Sequence, residues 1–261
     1  MAQIVITETP DEAGALVARH IADLIESSPR AVLGVATGST PLPVYQNLRE
    51  LVLSGALTLA RTTMFALDEY VGLPVGHPES YRAVIERELV QPLGLDPRHI
   101  HLPDGNPQNI QDAGQRYETA IRAAEGIDLQ ILGIGSDGHI GFNEPGSSLA
   151  SETRVKTLTE TTRQDNARFF ASPDEVPRHC ITQGLGTILR ARHLVLLAFG
   201  ERKASAVASA VEGPISAQCP ASAIQLHPRT TVVVDEAAAS MLQNSAYYRY
   251  AWDNRPAWQG L

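Results

Sequence analysis

Apolar residues along this chain fall into short runs separated by longer amphipathic stretches. Short, nearly continuous apolar runs read as strands, and apolar positions recurring three and four apart read as helices. On that basis residues 3–7, 31–35, 63–67, 129–133, 193–199 and 230–234 are predicted strands, and 100–102 is a short extended piece. Helices are predicted over 11–26, 41–51, 78–90, 109–124 and 203–211, with a further one starting at Glu236. The first of these places Ala15, Leu16, Ile21, Leu24 and Ile25 on one stripe. Strand-then-helix alternation predicts an α/β fold of Rossmann-like type, a mostly parallel sheet with helices on both faces. The almost wholly apolar cores of 31–35 and 194–198 fit strands buried on both sides. No repeat or low-complexity linker interrupts the pattern, so 1–261 reads as a single domain. It ends in an aromatic tail from about residue 244 to 261, carrying Tyr247, Tyr248, Tyr250, Trp252 and Trp258.

Composition narrows the function classes. The 261 residues are 43% hydrophobic and 19% charged, which supports a sizeable core and excludes global disorder. Twenty-nine acidic against 21 basic residues give a net charge of -8, so nucleic-acid binding through overall charge is not expected. A local cationic pocket for a small anion remains open. The two cysteines, Cys180 and Cys219, make neither a disulfide framework nor a zinc pattern and read as free thiols in a reducing compartment. The first residues lack a basic stretch followed by an apolar core, and no apolar run approaches the roughly 18 residues of a membrane span. The expectation is a soluble cytoplasmic protein with neither a membrane nor a nucleic-acid partner.

In open parallel sheets, ligands gather outside the carboxyl ends of the strands, so the residues after each predicted strand are the candidates. Thr37, Gly38, Ser39 and Thr40, before Pro41, have the makings of an anion cradle at a helix start, or of an ordinary capped helix. Asp68, in Asp68-Glu69-Tyr70, is a carboxylate at the mouth of the sheet, either a general base or a structural cap or ion-pair partner. Residues 133–138 match the spacing of a dinucleotide fingerprint, but the proline and glycine of Asn143-Glu144-Pro145-Gly146 predict an irregular loop instead of a helix. That loop sets Asp137 and Glu144 on either side of His139, an arrangement suited to acid–base work. His99 and His101 share a face of an extended segment but lack a third metal ligand nearby. His179-Cys180 reads as a buried structural cysteine beside an outward histidine.

Taken together, these segments resemble the glucosamine-6-phosphate deaminase (isomerase) family. The resemblance is carried by Thr37-Gly38-Ser39-Thr40-Pro41, by Asp68-Glu69-Tyr70 and its continuation to Leu73, and by His77-Pro78-Glu79-Ser80-Tyr81. It continues through GIGSDGHIGFNEPGSS at 133–148, Thr161-Thr162-Arg163, Asn166 to Phe170, Gly184 to Thr187, Glu212-Gly213 and Leu226-His227-Pro228. The Gly-x-Gly-x-Asp-Gly-His core is also similar to 6-phosphogluconolactonases, whereas the Asn-Glu-Pro continuation and Asp-Glu-Tyr are more specific to deaminases.

The resemblance implies conversion of glucosamine 6-phosphate and water to fructose 6-phosphate and ammonium, with no organic cofactor and no catalytic metal. It implies Asp68 as the base that moves a proton from carbon 2 to carbon 1, and His139 as the group that opens the sugar ring. Asp137 and Glu144 would orient and tune His139. Thr37, Gly38, Ser39 and Thr40 would hold the phosphate with Arg168 and Lys203. Some members bind N-acetylglucosamine 6-phosphate as an activator at a subunit interface, and Ser147, Ser148, Arg154, Lys156 and Thr157 match that pattern. If extended, Arg154-Val155-Lys156 aims both cations to one side, which would equally suit a solvated charged strand. A homo-oligomer, a hexamer in particular, is expected, with the aromatic tail packing on a neighbouring subunit. A lactonase-like hydrolase and a catalytically silent sugar-phosphate sensor are the alternatives.

Overall fold

The computed structural model describes residues 2–256 and 258–261. Its first half contains β1 (Gln3–Thr7), α1 (Pro10–Ser27), β2 (Val32–Val35), α2 (Leu42–Leu53), β3 (Thr63–Ala66) and, one residue later, β4 (Asp68–Tyr70). Helix α3 (Tyr81–Ile85) passes through a π-helical turn, Glu86–Val90, into α4 (Gln91–Leu93). Then come β5 (Ile100–His101), α5 (Ile110–Ala123), β6 (Leu129–Leu132), β7 (Arg154–Thr157), α6 (Glu160–Asn166), β8 (His179–Thr182) and α7 (Leu185–Ile188). The last elements are β9 (Leu194–Ala198), α8 (Ala204–Val211), β10 (Thr230–Asp235) and α9 (Ser245–Asp253).

Seven strands form one sheet in the order β1-β10-β9-β6-β2-β3-β5, and every pairing in it is parallel. Its central strands β2, β6 and β9 are buried along their whole length, Gln130 of β6 included; the apolar runs of β2 and β9 predict this. The chain leaves β2 towards β3 and β5 on one side and returns to β6, β9 and β10 on the other. That reversal opens a crevice at the carboxyl ends of β2 and β6. A second, three-stranded antiparallel sheet, β4-β8-β7, stands beside it. The sequence pattern identifies the large sheet but not the small one, whose strands are only three and four residues long.

Local chemistry sets the ends of the elements. Thr9 caps α1 by accepting the Glu12 amide, with Pro10 in the first turn. The helix expected from Glu236 starts later, at Ser245. The Asp235 carboxylate accepts the Ala238 amide and that of Gly200, which holds the chain in a turn. Glu212 then takes the amides of Gln243 and Asn244 just before α9. Part of the aromatic tail packs within the chain. Tyr248 is buried and its hydroxyl donates to Glu212 at 3.0 Å, while Tyr247, Tyr250 and Trp258 are exposed.

One buried carboxylate ties α5 to the chain that flanks the small sheet. Glu118 of α5 accepts the Thr153 amide at 2.9 Å, the Thr153 hydroxyl at 2.6 Å and the Thr187 hydroxyl at 2.5 Å. It also pairs with Arg190 at 2.6 Å. Burial works to raise its carboxyl, but these hydroxyl and amide donors, with Arg190, outweigh it and hold the group below its ordinary value. Glu118→Ala strands the Thr153 amide and both hydroxyls. The expected loss is about 2–4 kcal/mol of stability, read as a lower urea midpoint; a midpoint unchanged from wild type contradicts this role.

Candidate active site

The carboxyl ends of β2, β3, β6 and β9 share one edge, and a cleft of about 1210 Å³ lies over them. Its walls include Thr37, Gly38, Ser39 and Thr40 after β2, Asp68 after β3, the 133–142 loop after β6, and Lys203 after β9. Arg168, from the segment following α6, closes the rim. All the expected substrate residues therefore meet at one place, together with Asp68 and His139.

At the β2 end, Gly38 has φ +88°, a backbone that favours glycine. Tyr45 of α2 braces this turn by donating to the Ala36 carbonyl at 2.7 Å while accepting the Ala36 amide at 3.2 Å. Neither Ser39 nor Thr40 caps α2; Pro41 occupies the cap position and makes no side-chain hydrogen bond. The hydroxyls of Ser39 and Thr40 are thus not spent on the helix, while that of Thr37 meets the Tyr81 hydroxyl. Burial lowers the Lys203 ammonium below its ordinary value and the neighbouring Arg168 charge adds to this, against the pull of Asp165 and Asp137. Two neighbouring cations lining one cleft of an acidic protein make a local anion site. The Arg168 guanidinium rests on the Phe169 ring, 4.7 Å from its centroid.

Asp68 and Glu69 are neighbours in sequence with separate tasks. The Glu69 carboxylate accepts the amides of Tyr70, Tyr81 and Arg82 at 2.8, 2.8 and 2.9 Å, so it anchors the start of α3. Asp68 is 6% exposed and lines the cleft. Burial, reinforced by the Glu69 charge and opposed by the Thr182 hydroxyl, pushes its carboxyl up to about 8. Asp68 lies in a strand and not at a helix N-terminus, and no ion pair among the described residues engages it.

His139 stands where the loop folds back over itself. Its Nδ1 lies 2.7 Å from Asp137 Oδ1 and 3.8 Å from Glu144 Oε2. Its other ring nitrogen is the one not turned to the carboxylates. Burial works to raise Asp137, but the hydrogen bond and charge of His139 outweigh it and hold the carboxyl well below the usual range. Glu144 is 2% exposed and its Oε1 accepts the Thr159 amide at 3.0 Å. It thereby joins the histidine loop to the start of α6 and the Arg168 segment. A Cβ on Gly135 would run into the His139 ring, so the loop needs glycine there for the imidazole to lie in place. Residues 133–146 contain no helix, as the proline and glycine of the loop predict.

Asp137, His139 and Glu144 also offer donor atoms within 4.8 Å of one another, a set that could hold a metal ion. His99 and His101 do not join such a group; the His101 ring instead stacks on Phe65 at 4.7 Å. Cys180 is fully buried and its thiol is pushed up by burial, while His179 is exposed.

The residues matched to an activator site divide. Ser147 is buried, and its hydroxyl donates to the Glu144 carbonyl at 2.7 Å. The Arg154 guanidinium donates to Asn143 Oδ1 at 2.7 Å. Ser148 and Thr157 are exposed and Lys156 is half-buried. Arg154 and Lys156 do lie on one side of an extended strand. Aromatic packing in the wall of the cleft was not legible in the sequence. Tyr81 stacks on Phe142 at 5.8 Å, and Tyr70 meets Phe142 and Phe170 at 5.7 Å each.

This fold and this cleft define a class. The chain belongs to the glucosamine-6-phosphate isomerases/6-phosphogluconolactonase family, whose profile matches residues 7–233. Within it, the chain is 58% identical to a glucosamine-6-phosphate deaminase of Bifidobacterium longum over the full length of both. It is also 58% identical to one of Streptomyces coelicolor, over 99% of this chain and 100% of the relative. A monomeric glucosamine-6-phosphate deaminase of known structure superimposes with a TM-score of 0.89 at 42% identity, over 92% of this chain and all of that one. A 6-phosphogluconolactonase from Trypanosoma brucei, at 21% identity and a TM-score of 0.71 over 92% of this chain and 98% of that one, shares the fold.

Gly135→Ala should leave the protein folded but displace the His139 ring. Turnover is expected to fall about 100-fold or more, with the circular dichroism spectrum unchanged. Activity within twofold of wild type contradicts the packing argument.

Proposed function

We propose that the chain is a glucosamine-6-phosphate deaminase, converting glucosamine 6-phosphate and water to fructose 6-phosphate and ammonium. The observation that carries this reading is the placement of two separate proton-transfer groups, Asp68 and His139, in one cleft with a cationic rim. The proton on carbon 2 becomes acidic only in the open-chain aldehyde. Ring opening must come first, and it needs an acid–base group of its own.

The turn of Thr37, Gly38, Ser39 and Thr40, with Arg168 and Lys203, holds the phosphate. Binding energy gained there positions the distant reacting carbons. His139, steadied by Asp137 and Glu144, moves the proton that frees the ring oxygen and exposes the aldehyde. Asp68 takes the proton from carbon 2; that electron pair forms the carbon 1–carbon 2 double bond of an enol-amine while the carbonyl pair moves onto the carbon 1 oxygen, which takes up a proton from solvent. Returning that proton to carbon 1 leaves an imine at carbon 2. Water adds to it, and ammonia departs as the ketone forms. Asp68 is well made for the proton shuttle, since burial increases its basicity.

Ammonia release from glucosamine 6-phosphate, with fructose 6-phosphate followed in parallel, tests the reading. Equal yields support it. Hydrolysis of 6-phosphogluconolactone without ammonia release would replace it with the lactonase reading, which leaves a buried base at Asp68 without a task.

The base assignment has a pH signature. Asp68 must be ionised to accept the carbon 2 proton, so kcat/KM should fall by about tenfold per pH unit below its value of about 8. Asp68→Asn should lower turnover by about 1000-fold or more while inorganic phosphate still binds. Near-normal turnover in that variant refutes the role.

An activator site for N-acetylglucosamine 6-phosphate would rest here on Ser148, Lys156 and Thr157, because Ser147 and Arg154 are engaged within the chain. A hexamer would present this site at a subunit boundary, in a cytoplasmic setting that suits the free thiols of Cys180 and Cys219. Added activator should then lower the substrate concentration giving half-maximal rate, with sedimentation reporting the assembly. No response at saturating activator dismisses the site.

A further inference from the structure

One buried side-chain amide bridges the two stretches of chain that carry the proton-transfer groups. Asn143 is completely buried and follows His139 in the same loop. Its Nδ2 donates to the Ile140 carbonyl at 2.9 Å and to the Gln183 carbonyl at 2.8 Å. Its Oδ1 accepts from the Arg154 guanidinium of β7 at 2.7 Å. This orientation of the amide satisfies all three partners, since carbonyls only accept and a guanidinium only donates. Each contact bears on the site. Ile140 is the residue after His139, and its carbonyl also accepts the Asn143 backbone amide at 3.2 Å, which closes a turn over 140–143. Gln183 directly follows β8 and grips the end of β3. Its amide donates to the Leu67 carbonyl at 2.8 Å and its Nε2 to the Ala66 carbonyl at 3.0 Å. Leu67 immediately precedes Asp68. The turn itself runs past the base: Gly141 has φ +55°, and a Cβ there would lie 3.5 Å from Asp68 Oδ2 and 3.5 Å from Asn143 Nδ2.

We propose that Asn143 is the positioning residue of the acid–base pair, its carboxamide fixing the turn that follows His139 against the chain that leads into Asp68. This rests on His139 and Asp68 being the two proton-transfer groups. Ring opening and carbon 2 abstraction act on adjacent parts of one bound sugar, so the spacing of the two groups is part of the site's geometry. The large sheet fixes where β3 and β6 end. The 133–142 loop, however, contains no helix and no strand of either sheet, so strand pairing does not set the place of its far end. A buried carboxamide with both polar atoms engaged does so. Arg154 completes the brace from the small sheet. A rotated amide would set Nδ2 against the guanidinium and Oδ1 against two carbonyls, so one orientation is selected. The two groups of the reaction are then tied through a single side chain, although they come from distant parts of the sequence.

Asn143→Asp keeps the size and the acceptor for Arg154 but turns an oxygen towards both carbonyls, so both donations are lost. Calorimetric titration with inorganic phosphate counts the folded sites, and kcat is expressed per site. The expected result is a kcat per site about tenfold lower or more, with the affinity for inorganic phosphate as in wild type. Asn143→Ala is expected to show the same loss without an added charge, and it reads the same quantity if Asn143→Asp does not fold. A merely structural asparagine would cost sites and thermal midpoint while each remaining site kept its wild-type kcat. That outcome overturns the proposal, and so does a phosphate affinity that falls in step with kcat. Asp68→Asn and His139→Gln are assayed alongside. If either turns over normally, the assignment of the proton-transfer groups itself fails; if both are inactive and the Asn143 variants keep their kcat per site, only the role of Asn143 fails.

Discussion

Parallel hydrogen bonding in the seven-stranded sheet is the constraint on which the site depends. Parallel strands point the same way, so the loops after β2, β3, β6 and β9 must all emerge at one edge. No long-range design of the loops is needed to bring Thr37, Asp68, His139 and Lys203 together. Their convergence follows from strand direction and neighbourhood alone. Burial of β2, β6 and β9 on both faces keeps that register from slipping, so the cleft inherits the rigidity of the core. The reversal of winding between β2 and β6 then leaves a crevice where helices do not cover the edge.

The small antiparallel sheet adds what a parallel edge cannot supply. A carboxylate on a loop at that edge can be met by loop partners that favour its charge, as His139 does for Asp137. Asp68 instead continues into β4 and pairs with β8, which takes it out of water. Glu69, next in sequence, points its carboxylate to the start of α3 and receives three amides. Those amides satisfy one buried charge while the other is left with little more than a hydroxyl. Two adjacent acids thus acquire opposite characters from their partners, one a structural anchor and the other a basic carboxylate.

Sequence reading reached the parts of this arrangement that obey a short-range rule. Apolar runs revealed the parallel strands, and the residues following them revealed the cleft, because both depend on contiguous pattern. Asp137, His139 and Glu144 stood out because the loop is local and their types are chemically suggestive. The structural task of Glu69 could not be read, since its partners Tyr81 and Arg82 lie a dozen residues on and offer only backbone. Thr182 was invisible for the same reason at larger scale: it is one of many threonines, and only the β4–β8 pairing brings it to Asp68. No helix starts at Glu236. The chain makes turns there, although Asp235 accepts the Ala238 amide as a cap would, and Glu212 takes the amides of Gln243 and Asn244 from a distant part of the chain before α9 begins.

The cations of the cleft and its buried carboxylate have different surroundings, and the chemistry of the proposed reaction requires it. A dianionic phosphate needs cations, and Arg168 and Lys203 both line the cleft of a chain whose net charge is -8. A carbon base needs the opposite surroundings. A guanidinium or ammonium beside Asp68 would stabilise its carboxylate and strip it of basicity. The structure instead gives Asp68 burial, a neighbouring negative charge and one hydroxyl, with no cation among the causes of its shift. In the 133–142 loop the His139 imidazole turns its Nδ1 to carboxylates of its own, Asp137 at 2.7 Å and Glu144 at 3.8 Å.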